Sequence, residues 1–274
     1  MSTLTITAVQ TKLQWEDKAA NLQMLQEKIL SIKEKTEIVV LPEMFSTGYS
    51  MKPETMAEAM DGYTVSWMKK IAAEKRIILT GSIMIKEDGH YYNRLIWMLP
   101  NGQYGIYDKR HRFAFAGEGD HYTAGTKRLI ASVKGWKVNL QVCYDLRFPV
   151  WARQTSPSNP LSKGEGELTT LEYDVLIYVA NWPERRNIAW KTLLQARAIE
   201  NQCFVAGVNR VGEDGNGIYH SGDSMIIDPL GEILYHKKDE EDIFTITLNK
   251  DHLQAVREKF PFWKDGDNFT IMTE

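Results

Sequence analysis

Along the first third of the chain, short apolar runs take turns with helix-period stripes. Residues 3–9 alternate polar and apolar side chains with Leu4, Ile6 and Ala8 on one face, the period of a β-strand. Asp17 stands where a helix N-cap belongs. Behind it Ala20, Leu22, Leu25, Ile29 and Ile32 form an apolar stripe that predicts a helix to about Lys33. EIVVL at 37–41 is a continuous apolar run, as expected of a strand buried on both faces, and it stops at Pro42-Glu43. A second amphipathic helix is predicted over 61–75, then a buried strand in RIILTGSI (76–83). Strands at 91–98 and 105–107 flank Asn101-Gly102, a hairpin signal.

The period then vanishes. YDKRHRFAFAGEGDHYTAG (107–125) is dense in charge and glycine and reads as a chemically loaded loop. Beyond it, 128–133 and 136–142 form a hairpin about Lys134-Gly135. SPSNPLSKGEG at 156–166 has little to bury; it predicts a surface insertion, because strand–helix alternation resumes after it. A strand at 174–180, a helix at 185–201 and a strand at 203–208 follow. Further strands are predicted at 221–227, 232–236 and 243–248, with a turn at Pro229-Leu230-Gly231. A helix at 251–259 and an aromatic tail, FPFW, come last, and no internal repeat is visible. The alternation predicts one layered α/β domain over residues 1–274, with helices covering one face of each sheet; the number of sheets does not follow from pattern.

Composition narrows the function classes. A chain of 274 residues can bury a sizeable core as one large α/β domain. A net charge of −3 and a pI near 6.1, with no long basic run, argue against a nucleic-acid partner. Two cysteines are too few for a secreted disulfide framework and fit a reducing compartment. The start, MSTLTITAVQ, lacks a basic, then apolar, signal-peptide pattern, and no stretch is long enough to span a bilayer. A cytoplasmic protein without membrane partner is the expectation. The six histidines are scattered without metal-ligand spacing, so neither metal nor organic cofactor is expected.

Chemistry concentrates in NLQVCYDLRFPV, a strand over 137–142 that ends at Cys143 and turns into a helix near Phe148-Pro149. A lone cysteine is more often a small buried core residue than a nucleophile. Two other polar residues also stand where strands end: Glu43 closes EIVVLPE and Lys109 follows IYD. Each alone is an ordinary solvated side chain. Together they answer a chemical need: a thiol requires a base, and the oxyanion it creates requires a fixed cation and a backbone N–H, here that of Tyr144. No histidine lies near Cys143 in sequence, so a Cys-His pair would need a distant partner such as His111, His121 or His220.

The stretches LPEMFSTGY, YDKRHRF, VCYDLRFPVWAR and ANWPERRNIAWKTLLQARAIENQCFVAGVNRVG resemble the nitrilase (carbon–nitrogen hydrolase) superfamily, and within it the omega-amidase branch of bacterial nitrilase-like amidases. The resemblance runs from Thr5 to about Ile271, with 154–172 longer than expected. It implies a Glu-Lys-Cys triad on Glu43, Lys109 and Cys143. It implies a four-layer αββα sandwich that dimerises, through the layer holding the Cys helix and the 185–201 helix, into an eight-layer αββα-αββα assembly. A second family glutamate maps onto Glu118 in FAFAGEGD, where it would orient Lys109 and the substrate amide; the alternative is a solvated loop carboxylate.

Further candidates each carry two readings. Arg147 could grip a substrate carboxylate as a bidentate fork or brace the turn through Asp145 or Glu200. Trp182 and Tyr49 follow strand ends and could line the pocket, or pack as core aromatics. The Arg185-Arg186 pair could clamp an anion or face solvent. Cys203 reads as packing and His111 as structural, while Gly207 and Asn209-Arg210 would shape the strand end with no chemistry assigned. The branch implies a cofactor-free amidohydrolase releasing ammonia from terminal amides of short 2-oxo dicarboxylates, 2-oxoglutaramate and 2-oxosuccinamate. The alternatives are another C–N hydrolase with the same triad (aliphatic amidase, N-carbamoyl amino acid hydrolase or nitrilase), a non-catalytic dimeric binding protein, and a redox-sensing thiol protein.

Overall fold

The computed structural model describes residues 2–154, 171–267 and 269–272; the surface insertion expected at 156–166 lies outside them. In chain order the elements are β1 (Thr3–Gln10), α1 (Lys18–Ser31), β2 (Ile38–Val40), α2 (Pro53–Met56), α3 (Tyr63–Lys75), β3 (Ile78–Glu87), β4 (His90–Met98) and β5 (Tyr104–Asp108). Then come α4 (Glu118–His121), β6 (Leu129–Val133), β7 (Trp136–Val142), α5 (Pro149–Ala152), β8 (Val175–Ala180) and α6 (Asn187–Asn201). The chain continues through β9 (Phe204–Asn209), β10 (Val211–Glu213), β11 (Tyr219–Ile227), β12 (Ile233–Lys238), β13 (Asp242–Asn249) and α7 (Lys250–Lys259).

The strands make two sheets. One runs β13-β1-β2-β3-β4-β5, the other β10-β11-β9-β8-β7-β6 with β12 on β11. Each has a parallel centre, β1-β2-β3 in the first and β7-β8-β9 in the second. EIVVL shows how sequence produces the layers. Ile38 and Val40 join a core shared with Val138, Leu140 and Val142 of the facing sheet, whereas Val39 and Leu41 pack with Leu22, Leu25, Val65 and Met68 of α1 and α3. Alternate residues of one strand thus bind two different layers, and a continuous apolar run is the only pattern that can do so. On the outside of the second sheet, Trp190, Leu194 and Ala198 of α6 belong to the same core as β8 and β9. A Cβ at Gly207 would meet Leu194 and Trp190 within 3 Å, so the absent side chain lets α6 seat on β9. The order helix, sheet, sheet, helix is the expected αββα sandwich.

Asp17 caps α1 as its position predicts, its carboxylate accepting the Ala20 N–H at 3.0 Å. Three elements were not legible in the pattern: α2, α4 and β10. The first two are single turns, and β10 is a three-residue ladder fixed by its pairing with β11. Arg185 and Arg186 sit in a 3-10 turn, Glu184–Arg186, ahead of α6 and not within it. None of the described helices is long and apolar enough to cross a membrane.

Candidate active site

Parallel strands carry their ligand-facing groups past their C-terminal ends. Glu43 follows β2, Cys143 follows β7 and Asn181 follows β8, and all converge where the two sheets face each other. Lys109 enters from the end of antiparallel β5, its N–H donating to Asn93 O at 3.0 Å. Met44 and Cys143 both have positive φ, +44° and +46°, so the backbone turns sharply next to the carboxylate and at the thiol. A non-glycine residue holds that conformation only where its surroundings impose it.

For Cys143 the surroundings are explicit. It opens a 3-10 turn, Cys143–Arg147, anchored by Asp145, which is fully buried. The Asp145 carboxylate accepts the Val142 N–H at 3.0 Å, the Tyr107 hydroxyl at 2.7 Å and the His111 backbone N–H at 2.9 Å. His111 also approaches it with Nδ1 at 2.8 Å while stacking on Phe148, ring centroids 3.8 Å apart. From below, the Arg197 guanidinium donates to Leu146 O at 2.6 Å and pairs with Glu200 at 3.0 Å. Arg147 therefore does not brace the turn through Asp145 or Glu200; those carboxylates have other partners. His111 holds the turn, the structural role expected of it.

Glu43, Lys109 and Glu118 form a buried ion cluster. Both carboxylates are 0% exposed and Lys109 is 1% exposed. Lys109 Nζ lies 2.9 Å from Glu43 Oε1, and 3.0 and 2.9 Å from the two Glu118 oxygens. Asn93 Nδ2 donates to Glu43 at 2.8 Å and Asn181 N–H donates to its other oxygen at 2.8 Å. Glu118 also takes the Phe113 N–H. The solvated-loop reading of Glu118 is overturned: the glycine-rich segment folds into a 3-10 turn and α4 and carries its carboxylate inward. Burial alone would lower the Lys109 pKa, but the charges of Glu118 and Glu43 outweigh it and hold the ammonium well above its ordinary value.

Cys143 is 8% exposed, and burial first, then the Glu43 charge, push its thiol well above the usual range. It rests as a thiol, with the Glu43 carboxylate close enough to raise its pKa. A carboxylate so placed can accept the proton as sulfur attacks.

The thiol opens into a cavity of about 260 Å³ lined by Tyr49, Tyr144, Arg147, Asn181, Trp182 and Arg186, among others. Lys109 Nζ lies 5.3 Å from the Tyr49 ring centroid, and that hydroxyl is buried without a hydrogen-bond partner. Trp182 is pinned by Asn209, whose amide accepts its N–H at 2.8 Å and donates to its carbonyl at 3.0 Å. Arg147 stacks on Trp182 and Arg186 on Phe113, guanidinium carbons 5.1 and 4.9 Å from the ring centroids. Arg147, Arg185 and Arg186 all line the cavity, and none has a carboxylate partner among the described residues. Burial, then Arg185 and Arg147, hold the Arg186 pKa down, the mark of cations crowded together.

Asn93, Asn181 and Arg197 receive no reading from the sequence, and Asp145 enters it only as a possible partner of Arg147. Asn181 carried a readable signal, since it follows an apolar strand as Glu43 does; the others depend on tertiary placement. Cys203 is a free, fully buried core residue.

A family profile, carbon-nitrogen hydrolase, matches residues 5–258. The chain is 40% identical to omega-amidase YafV of Escherichia coli (strain K12), over 99% of this chain and 100% of that one. It is 32% identical to 2-oxoglutaramate amidase of Bacillus subtilis (strain 168), over 95% and 96%. The crystal structure of XC1258 from Xanthomonas campestris, a CN-hydrolase superfamily protein with an arsenic adduct in its active site, superposes with a TM-score of 0.93 at 42% identity, covering 99% of this chain and 100% of that one.

Proposed function

As the chain belongs to the carbon-nitrogen hydrolase family, we propose that it is an omega-amidase, hydrolysing the terminal amide of a short 2-oxo dicarboxylate monoamide to the acid and ammonia. The observation that carries this reading is one cavity lined by the Cys143 thiol and by three arginines that have no carboxylate partner among the described residues. A substrate with an amide at one end and a carboxylate at the other matches both. The 40% and 32% identical relatives named for omega-amidase and 2-oxoglutaramate amidase activity support it.

In the mechanism, Glu43 takes the Cys143 proton as sulfur bonds to the amide carbon. The oxygen that gains charge is stabilised by Lys109 and the Tyr144 N–H, donors aimed where charge develops. Glu43 returns the proton to nitrogen as the C–N bond breaks, and ammonia leaves a thioester. Glu43 then removes a proton from water, hydroxide adds to the thioester, and Cys143 leaves as the thiol. Glu118 fixes Lys109 throughout. Arg147 and Arg186 hold the distal carboxylate, while Trp182 and Tyr49 shape the wall. A charge-assisted bond of this kind is worth about 1.5–3 kcal/mol, or roughly tenfold and more in affinity.

The proposal includes a cytoplasmic homodimer. Two free cysteines support the reducing compartment. Val150, Ile188 and Ile199, apolar yet 57%, 77% and 54% exposed on α5 and α6, support pairing through that layer. In the same proposal the C-terminal tail, about 251–274, contacts the partner subunit; Phe262 there is exposed.

The test is ammonia release from an equal-concentration panel: 2-oxoglutaramate, succinamate, glutamine, propionamide, a simple nitrile and an N-carbamoyl amino acid. The 2-oxo amide should be fastest. Faster release from the nitrile or the carbamoyl compound would sink the omega-amidase assignment and leave the nucleophile standing.

A further inference from the structure

We infer that His220 is a specificity-determining residue, distinguishing a 2-oxo carbon from an amino-bearing carbon next to the substrate's distal carboxylate; the inference rests on the omega-amidase reading. His220 lies near the start of β11 and its ring lines the cavity into which Cys143 opens, beside Asp214, Asn216 and Ile218. It is 2% exposed, and its Nδ1 is buried without a hydrogen-bond partner. Burial first, then the neighbouring Arg210, hold its pKa down to about 4. A neutral imidazole offers one N–H donor and one acceptor and no charge.

Arg210 does not line the cavity and is 1% exposed. Its Nη2 donates to the Glu213 carbonyl at 2.9 Å, while Nε and Nη1 have no partner. Burial lowers its pKa to about 10, which leaves it charged near neutrality. The charges acting on His220 are Arg210 and, opposite in sign, Asp214, while Arg147, Arg185 and Arg186 line the same cavity. Asp214 is the opposing carboxylate, and its Oδ1 already accepts the Asn216 and Ile218 N–H groups at 2.8 and 3.0 Å.

Such a pocket end has a chemical preference. An electron-rich 2-oxo oxygen can accept from the imidazole and lies favourably in the field of Arg210. An α-ammonium, as in glutamine, finds a neutral ring and surplus positive charge, which opposes binding. A substrate lacking the oxygen forgoes that bond, and sites built to bond a group discriminate against analogues without it.

The experiment measures kcat/KM for 2-oxoglutaramate, glutaramate and glutamine with wild type, His220→Leu and His220→Asn. Wild type should prefer 2-oxoglutaramate over glutaramate by about tenfold or more. His220→Leu should bring that ratio close to one, chiefly through a lower kcat/KM for 2-oxoglutaramate, and His220→Asn, which keeps an N–H donor, should restore part of it. An equal loss on both substrates, or an unchanged ratio, would overturn the inference. A wild-type measurement independent of how the variants fold is competitive inhibition by 2-oxoglutarate, glutarate and glutamate. The 2-oxo acid should bind tightest, and equal inhibition overturns the inference. If wild type instead favours a nitrile or carbamoyl substrate, the omega-amidase reading fails and this inference with it.

Discussion

Two groups of charge stand near the Cys143 thiol and are built on opposite terms. Around Lys109 each ion is matched: one ammonium between two carboxylates, with amide and backbone N–H groups filling remaining positions on Glu43 and Glu118. Around Arg147, Arg185 and Arg186 no carboxylate among the described residues forms an ion pair. Burying a matched ion cluster is tolerable because each group keeps its partners, whereas removing one member leaves an uncompensated charge in a low-dielectric interior. The half-exposed arginines keep some hydration and can wait for an anion. The matched cluster is thus held in place before substrate arrives, as electrostatic catalysis requires, and in the proposed reading the unmatched one is completed by the substrate carboxylate.

The largest expected effect falls on neither cluster but on the thiol between them. Cys143→Ala should lower kcat by about a thousandfold or more while circular dichroism and sizing match wild type. Because burial and Glu43 hold the thiol protonated, the loss should not vary with pH through the neutral range. Retention of more than about a hundredth of the activity would exclude covalent catalysis through this sulfur.

Lys109→Met tests the matched side. It leaves Glu43 and Glu118 buried without their shared cation, so stability should fall by about 3–5 kcal/mol and the rate by about a hundredfold or more. Adding Glu118→Gln should recover much of the stability and none of the rate, read by urea melts and steady-state kinetics. A Lys109→Met protein that melts like wild type would mean the cluster is not matched in the sense argued.

Arg186→Ala tests the unmatched side, with a smaller effect of a different kind. KM for the oxo-acid amide should rise about tenfold, kcat should change little, and the melting temperature should hold or rise because crowded cations are thinned. A fall in stability like that of Lys109→Met would erase the distinction between the two clusters.

How much of this the sequence disclosed follows the same division. The strands and helices were legible because burial on one face or two leaves a one-dimensional trace, as in EIVVL and in the alternation of Leu4, Ile6 and Ala8; their division into two sheets was not, since the same trace serves one sheet or two. Glu43 and Cys143 were legible because they interrupt such runs at a strand end. The burial of Glu118 was not, since glycine-rich loops have no period and its inward path depends on Lys109 being there to meet it. Asn93 and Arg197 lie inside regular elements, where a polar residue gives no sign of its partner across the fold. Arg147 left both of its readings open for that reason. Its neighbours Asp145 and Glu200 had the right charge, and only three dimensions reveal that Tyr107, His111 and Arg197 had already taken them.

Tyr107→Phe carries the smallest rate effect and examines how a matched group behaves when one contact goes. The Tyr107 hydroxyl donates to Asp145 at 2.7 Å, and it accepts from Trp151 Nε1 at 2.9 Å and from the Arg110 N–H at 3.3 Å. Removing it leaves the indole N–H buried and unpaired, which costs about 1–3 kcal/mol of stability. Asp145 keeps the Val142 and His111 donors, so the turn that holds Cys143 at its positive φ should persist. The expected signature is a melt lowered by several degrees with kcat reduced no more than about fivefold. Asp145→Asn is the sharper companion, because it removes the charge that all four donors share. If Tyr107→Phe depressed the rate as deeply as Lys109→Met, the hydroxyl would belong to the reacting set and not to its scaffold.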